Sequence, residues 1–209
     1  MFTFLLLAFV VGGTSETPPK DRFDIGGFLG YSVRITQAEG QNISSLLIYS
    51  RLGYGLLDDL ELYGFVGLST LEPYQKVSPL TGRFGIGSKY SVLSKERNVN
   101  FNIDAQFEWL PLLEGMKPPF SDFPTAFEVR VVPTISFKAA HSFIYGGVGW
   151  SYFSFKKQNG VVDIPPGRID RQMVIVIGID YFLNPDTYLL AEMHSFAEDS
   201  IFLGVSYRF

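Results

Sequence analysis

Glu192 and His194 stand two apart in the stretch "EMHS", with Ser195 beside the histidine and Asp199 close behind. Acid, imidazole and hydroxyl are the groups from which hydrolytic sites are built: the ring takes a proton from the nucleophile and a carboxylate orients the ring. Spacing decides how many of them can meet. On a strand, successive side chains point to opposite faces, so Glu192 and His194 share a face and Ser195 turns away from both. The pair therefore offers a base and an orienting acid but no adjacent nucleophile, and a structural hydrogen bond is the plainer reading. A second, larger set of chemistry-bearing residues runs through the whole chain at alternate positions: Asp24, Arg34, Arg51, Glu61, Arg83, Lys89, Asp104, Glu108, Glu128, Arg130, Asp180 and Arg208, together with Glu192. Acids and bases in it are close to balanced.

Regular alternation positions this set. In "NVNFNIDAQFEW", Asn98, Asn100, Asn102, Asp104, Gln106 and Glu108 fall on one side, and Val99, Phe101, Ile103, Ala105, Phe107 and Trp109 on the other. A period of two is a β-strand with one polar and one apolar face. The same pattern predicts strands at 23–35, 44–57, 60–71, 82–93, 98–110, 125–138, 142–155, 168–183, 186–196 and 200–209. Short turns follow the even strands: Asp58-Asp59, "SKER", "KAAH" and Asn184-Pro185. Long loops rich in Pro, Gly and polar residues follow the first four odd ones: "TQAEGQN", "EPYQKVSPLTG", "PLLEGMKPPFSDF" and "KKQNGVVDIPPG". Short turns at one end, long loops at the other and an even strand count predict an all-β, antiparallel up-and-down transmembrane β-barrel of about ten strands, with eight as the alternative. The "AEDS" link alone is short where this rule asks for a long loop.

Composition agrees. The chain has 209 residues, a formal net charge of -4, 20 Phe, 11 Tyr, 21 Gly and no cysteine. A thiolate metal site is excluded, and nothing in the pattern asks for a cofactor or metal. The near-neutral balance gives no footing for a nucleic-acid partner. Residues 1–15, with the apolar run Phe2–Val11 followed by small residues, fit a secretory signal peptide cleaved after Gly13 or Ser15, although the segment before that run carries no Lys or Arg. Residues 16–22 then form a short extension and 23–209 the barrel.

A soluble carrier barrel would turn its apolar face inward, a membrane barrel outward. Aromatics at strand ends (Phe23, Trp109, Tyr181, Tyr207, Phe209) suit the girdles at the two membrane interfaces, and the many glycines among the polar positions suit a crowded lumen. Both favour the membrane barrel. The final "IFLGVSYRF", with Ile201, Leu203, Val205, Tyr207 and Phe209 at alternate positions, resembles the C-terminal strand by which bacterial outer-membrane barrels are recognised for assembly. The chain is thereby similar to the small OmpA/OmpX-like group. That resemblance implies a place in the outer membrane of a Gram-negative bacterium, contact with its lipid and lipopolysaccharide, and an assembly machinery that reads Leu203, Val205, Tyr207 and Phe209. Lys156 and Lys157 open the fourth long loop, where lipopolysaccharide phosphates are within reach, although a solvated loop is the plainer reading. Asn42-Ile43-Ser44 matches a glycosylation pattern too short to mean much. Lipid-facing apolar residues look alike against lipid or a second barrel, so the pattern fixes no oligomeric state.

Three readings follow for the lumen lined by Arg34, Arg51, Glu61, Arg83, Lys89, Asp104, Glu108, Glu128, Arg130, Asp180, Glu192, His194 and Arg208. It is packed by mutual ion pairs and the loops do the work; or it is a narrow, weakly selective channel; or Glu192 and His194 mark a hydrolase at the rim. Outer-membrane proteases of the omptin type place an acid and a His two apart near the rim, but here Glu replaces Asp and "EPYQ" is a poor match for their second acidic pair. Barrel deacylases combine a His with a nearby Ser and acid, and Ser195 is on the wrong face for that. The sequence favours the packed lumen and no enzyme.

Overall fold

Each alternating stretch becomes a strand: β1 Phe23–Thr36, β2 Gln41–Leu57, β3 Leu60–Thr70, β4 Leu80–Ser91, β5 Val99–Leu110, β6 Thr125–Ala139, β7 Ser142–Lys156, β8 Met173–Phe182, β9 Thr187–Phe196 and β10 Asp199–Arg208. The structure, a computed structural model, describes residues 16–36, 41–70, 80–92, 98–110, 125–156, 173–196 and 199–209. Within the strands, the side chains at 34–36, 41–44, 80–81, 110, 125–126 and 153–156 are outside the described set. So are the expected signal segment, most of the long loops, "SKER" and Lys157. Expected and observed boundaries differ by a few residues. Asn98 lies in an exposed bend before β5, its carbonyl accepting from the Lys138 amide, so the inward row starts at Asn100.

Every strand pairs antiparallel with its sequence neighbours, and β1 pairs with β10, giving a closed barrel of ten strands rather than eight. Stepping from Gly27 partner by partner through β2 to β6 arrives at Ser154 on β7. Stepping the other way through β10, β9 and β8 arrives at Ser142, twelve residues away along the same strand. That stagger is the shear of the barrel, and with ten strands it demands the tilt of roughly 35–45° seen in membrane barrels.

The apolar face is outside. Ile25, Leu29, Ile48, Leu52, Ile86, Ile177, Met193, Leu203 and Val205 are all exposed. Rings gather where strands end: Phe23, Tyr90, Phe137, Tyr181, Tyr207 and Phe209 at the turn end, and Phe84, Trp109, Trp150 and Tyr152 at the loop end. Such a surface belongs in lipid, so the soluble-carrier alternative is excluded on packing grounds. The closing seam joins the amide and carbonyl of Phe23 to those of Phe209, with the two rings stacked 5.7 Å apart.

The inner face is less uniformly polar than alternation suggests. Phe28, Leu47, Tyr49, Leu190 and Phe202 form an apolar cluster inside the barrel, and Val132, Tyr145, Val174 and Val176 a second one. The inward glycines explain how the rings fit. Gly30 is paired with Phe202, Gly204 with Phe28, Gly85 with Phe65, Gly87 with Tyr63 and Gly178 with Tyr145, and in each case a Cβ on the glycine would overlap its partner's ring. The rings lie flat on bare backbone, covering strand that glycine leaves uncovered.

Residues 16–22 run back across the turn end. Thr17 Oγ1 donates to the Asp58 carbonyl (3.1 Å), the Lys20 amide to Asp58 Oδ1 (3.2 Å), and the Asp21 amide to the Gly55 carbonyl (2.8 Å). Asp21 turns the chain with φ 63°, a left-handed conformation that Asp tolerates better than most residues.

Candidate functional site

The lumen gathers the charged residues on strands from all sides, and register decides who meets whom. On the wall formed by β4, β5 and β6, Arg83 Nε and Nη2 donate to the two oxygens of Glu108 at 2.5 and 2.8 Å, a forked pair. Glu108 is the direct register partner of Glu128, so two carboxylates lie side by side. Glu128 is met by Ser151 Oγ from the next strand and by Arg130 Nη2 (3.3 Å). Arg130 Nη1 reaches His194 Nδ1 across the lumen (3.2 Å); His194 Nε2 meets Glu192 Oε1 (2.7 Å); and Tyr145 donates to Glu192 Oε2 (2.7 Å). One hydrogen-bonded chain thus runs from Ser151 to Tyr145.

That chain fixes the imidazole. A guanidinium only donates, so Nδ1 must accept from Arg130, and the ring proton sits on Nε2 facing Glu192. His194 is then a neutral imidazole whose one lone pair is already spent on Arg130. Ser195 points outward and donates instead to Asp199 Oδ1 (2.8 Å). The serine that register brings to His194 is Ser200, its direct partner across the β9–β10 hairpin, on the same inner face. Counting positions along one strand misses it; folding the chain back at "AEDS" and pairing outward would have found it. Even so, the arrangement gives Ser200 no base, because the nitrogen that would take its proton is bonded to Arg130.

Nearer the turn end the pairing is looser. Arg51 Nη2 reaches Glu61 Oε1 at 2.6 Å and its guanidinium lies 4.3 Å over the Tyr63 ring. Asp24 sits 3.9 Å from Arg51 Nη1 and 3.9 Å from Arg208 Nε, beyond hydrogen-bond reach, and among the described residues accepts a side-chain hydrogen bond from Tyr188 alone (2.8 Å). Tyr63 donates to Asp104 Oδ1 (2.6 Å), and Ser91 to Asn102 (2.6 Å). Lys89 and Asp180 are likewise buried in the inner face, while the side chain of Arg34 is outside the described set. Leu203, Val205, Tyr207 and Phe209 all point outward.

The inner side chains leave water almost no surface to touch. Asp24, Glu61, Glu108, Glu128 and Asp180 are 0% exposed, and Arg51, Arg83, Lys89, Asp104, Arg130, Glu192 and His194 no more than 3%. No group of three or more acidic or histidine side chains among the described residues is placed to hold a metal ion.

No protein-family model matches the chain, and no curated protein matches its sequence. Its shape is matched by solved structures. An outer membrane channel from Pseudomonas putida F1 superposes with a TM-score of 0.59, over 96% of this chain and 100% of that one, at 10% identity. The chain folds as a small outer-membrane β-barrel. More distant superpositions include the N-terminal β-barrel domain of OprF from Pseudomonas aeruginosa (TM-score 0.43, 12% identity, 91% and 98% covered) and the outer membrane protease OmpT from Escherichia coli (0.41, 12%, 96% and 100%). At these identities the likeness concerns the fold of the barrel and reaches none of its residues.

Proposed function

We propose that this barrel resides in an outer membrane with its lumen filled by an ion-paired core, and that its working surface is the set of long loops at the end opposite the turns. One observation carries this reading: charged side chains at every level of the lumen are buried to 3% exposure or less, apart from Arg208 at the mouth, with Arg83, Arg130 and Arg51 each bonded to a carboxylate. Burying so many charges is costly unless they pair, and here they pair across strands rather than line a water column. The lumen is then the structural element that keeps ten strands in one register, and recognition falls to the loops.

A narrow channel is the second reading. It draws support from the looser turn-end half, where contacts of 3.9 Å leave room for rearrangement, and from the shape shared with a channel. A hydrolase at Glu192 and His194 is disfavoured by the spent lone pair of His194. Single-channel recording in a planar bilayer, after a heat-dependent gel shift certifies folding, separates the first two. Silence from the folded protein is the expected result. Steady steps that change on Glu128→Gln or Arg130→Gln would make the lumen a pore.

A further inference from the structure

The apolar residues inside the barrel belong to one closed belt. Phe28 pairs directly with Tyr49, Phe65 with Gly85 and Val176 with His194. Between these pairs the belt slips two residues toward the turn end at each step: from Tyr49 through its partner Gly67 to Phe65, from Gly85 through Glu108 to Gln106, and from Gln106 through Arg130 to Val132. Val132 meets Gly149, where a Cβ would overlap its side chain. From Gly149 the belt passes through Val174 to Val176, from His194 through Ser200 to Phe202, and from Phe202 through Gly30 back to Phe28. These six slips use up the twelve-residue stagger of the barrel, so the belt closes at one height with one inward residue from each strand.

No member of the belt carries a formal charge, since His194 is a neutral imidazole. The charges stand two residues away on either side: Arg83, Glu108 and Arg130 toward the loops, Arg51, Asp104 and Glu192 toward the turns. Within the belt the rings touch one another. Tyr49 is stacked on Phe28 with centroids 4.9 Å apart, and stands edge-on to Phe65 at 6.2 Å and to Phe202 at 6.5 Å. Phe202 in turn lies 5.3 Å from the His194 ring. Phe28, Val132, Val176, His194 and Phe202 are no more than 3% exposed. The Tyr49 hydroxyl is buried without a hydrogen-bond partner among the described residues, so what this residue supplies is its ring.

The charged layers and the belt resist an ion differently. Carboxylates and guanidiniums can exchange one partner for another as an ion passes, whereas rings and valines offer it nothing in return for its water. Glycine makes the seal depend on the rings alone. Phe202, Phe65 and Phe28 lie on Gly30, Gly85 and Gly204, so shortening a ring uncovers bare backbone rather than a side chain able to fill the gap.

We propose that this belt, and not the ion pairs on either side of it, is the barrier that keeps ions from crossing the lumen. The proposal rests on the packed-lumen reading and names the layer that makes the packing tight.

Four variants test it by single-channel recording on protein whose folding the gel shift certifies. Tyr49→Ala removes the ring that touches the other three, and Phe202→Leu is a milder cut. Tyr49→Phe keeps the ring, and Glu61→Gln neutralises a charge outside the belt. Loss of the silent baseline in Tyr49→Ala or Phe202→Leu, with Tyr49→Phe and Glu61→Gln as silent as the unaltered protein, is the expected result. Steps from Tyr49→Phe or Glu61→Gln overturn the proposal, because an intact belt would then have failed to hold ions back. Silence from all four also overturns it and leaves the packed-lumen reading standing, with closure spread along the whole lumen. Steps from the unaltered protein end that reading and the belt's role together. If neither ring variant folds, the belt is inseparable from the barrel's structural core, and the proposal fails on that count.

Discussion

Arg83, toward the loop end, meets Glu108 through two nitrogens at 2.5 and 2.8 Å, whereas Arg51, toward the turn end, meets Glu61 through one at 2.6 Å and stands 3.9 Å from Asp24. Both arginines are buried. The difference lies in what surrounds them. Beside Arg83 and Glu108, Ser151, Arg130, His194 and Tyr145 complete a continuous chain through Glu128 and Glu192, whereas Arg51 ends in one bond to Glu61 and a ring contact with Tyr63. A connected network is intolerant of loss because each member holds the next, while a pair joined by one bond loses only that bond.

The largest effect is therefore expected from Arg83→Ala, which strands Glu108 beside Glu128. A loss of about 3–5 kcal/mol is expected, read from denaturant unfolding of the barrel in lipid vesicles. Arg51→Ala should cost less, about 1–3 kcal/mol, since it breaks one direct bond to a carboxylate where Arg83→Ala breaks two. If Arg51→Ala matches or exceeds Arg83→Ala in the same titration, the contrast between the two halves is wrong.

A matched pair of glycines sharpens the same contrast. Gly178 lies under Tyr145, whose hydroxyl holds Glu192; Gly87 lies under Tyr63, whose hydroxyl holds Asp104. Alanine at either must push the ring away and break that bond, at about 1–3 kcal/mol. Gly178→Ala should be the costlier, because Glu192 belongs to the continuous chain from Ser151 to Tyr145, and equal unfolding midpoints for the two variants would argue against that chain acting as a unit. The smallest effect belongs to Glu16→Gln: the 4.0 Å contact with Arg208 is partly exposed, so no more than about 1 kcal/mol is expected. A larger loss would mean that Glu16 ties the mouth more firmly than this one contact suggests.

Alternation made most of the fold legible, because a membrane barrel obeys one rule along every strand. From Asn100 to Glu108 the inward row is the one that period two dictates, and the alternation of turns and loops set the strand count at ten. What it hid has a common cause. Phe28, Phe65, Tyr145 and Phe202 occupy inward positions that look like errors in a polar face until their glycine partners are seen, and those partners lie on other strands. The same blindness applied to Ser200, which meets His194 through pairing across β9 and β10. The crossing of residues 16–22 over the turn end left no trace in periodicity, since they carry none.

The seam between β1 and β10 sets a schedule. The strand synthesised first among the ten finds its second partner only when the last has been made, so the stretch of chain between them must stay unpaired at its edges throughout. Contacts of such long sequence separation form slowly and leave sticky strand edges exposed meanwhile. The stacked rings of Phe23 and Phe209 thus mark a contact that forms only once all ten strands exist.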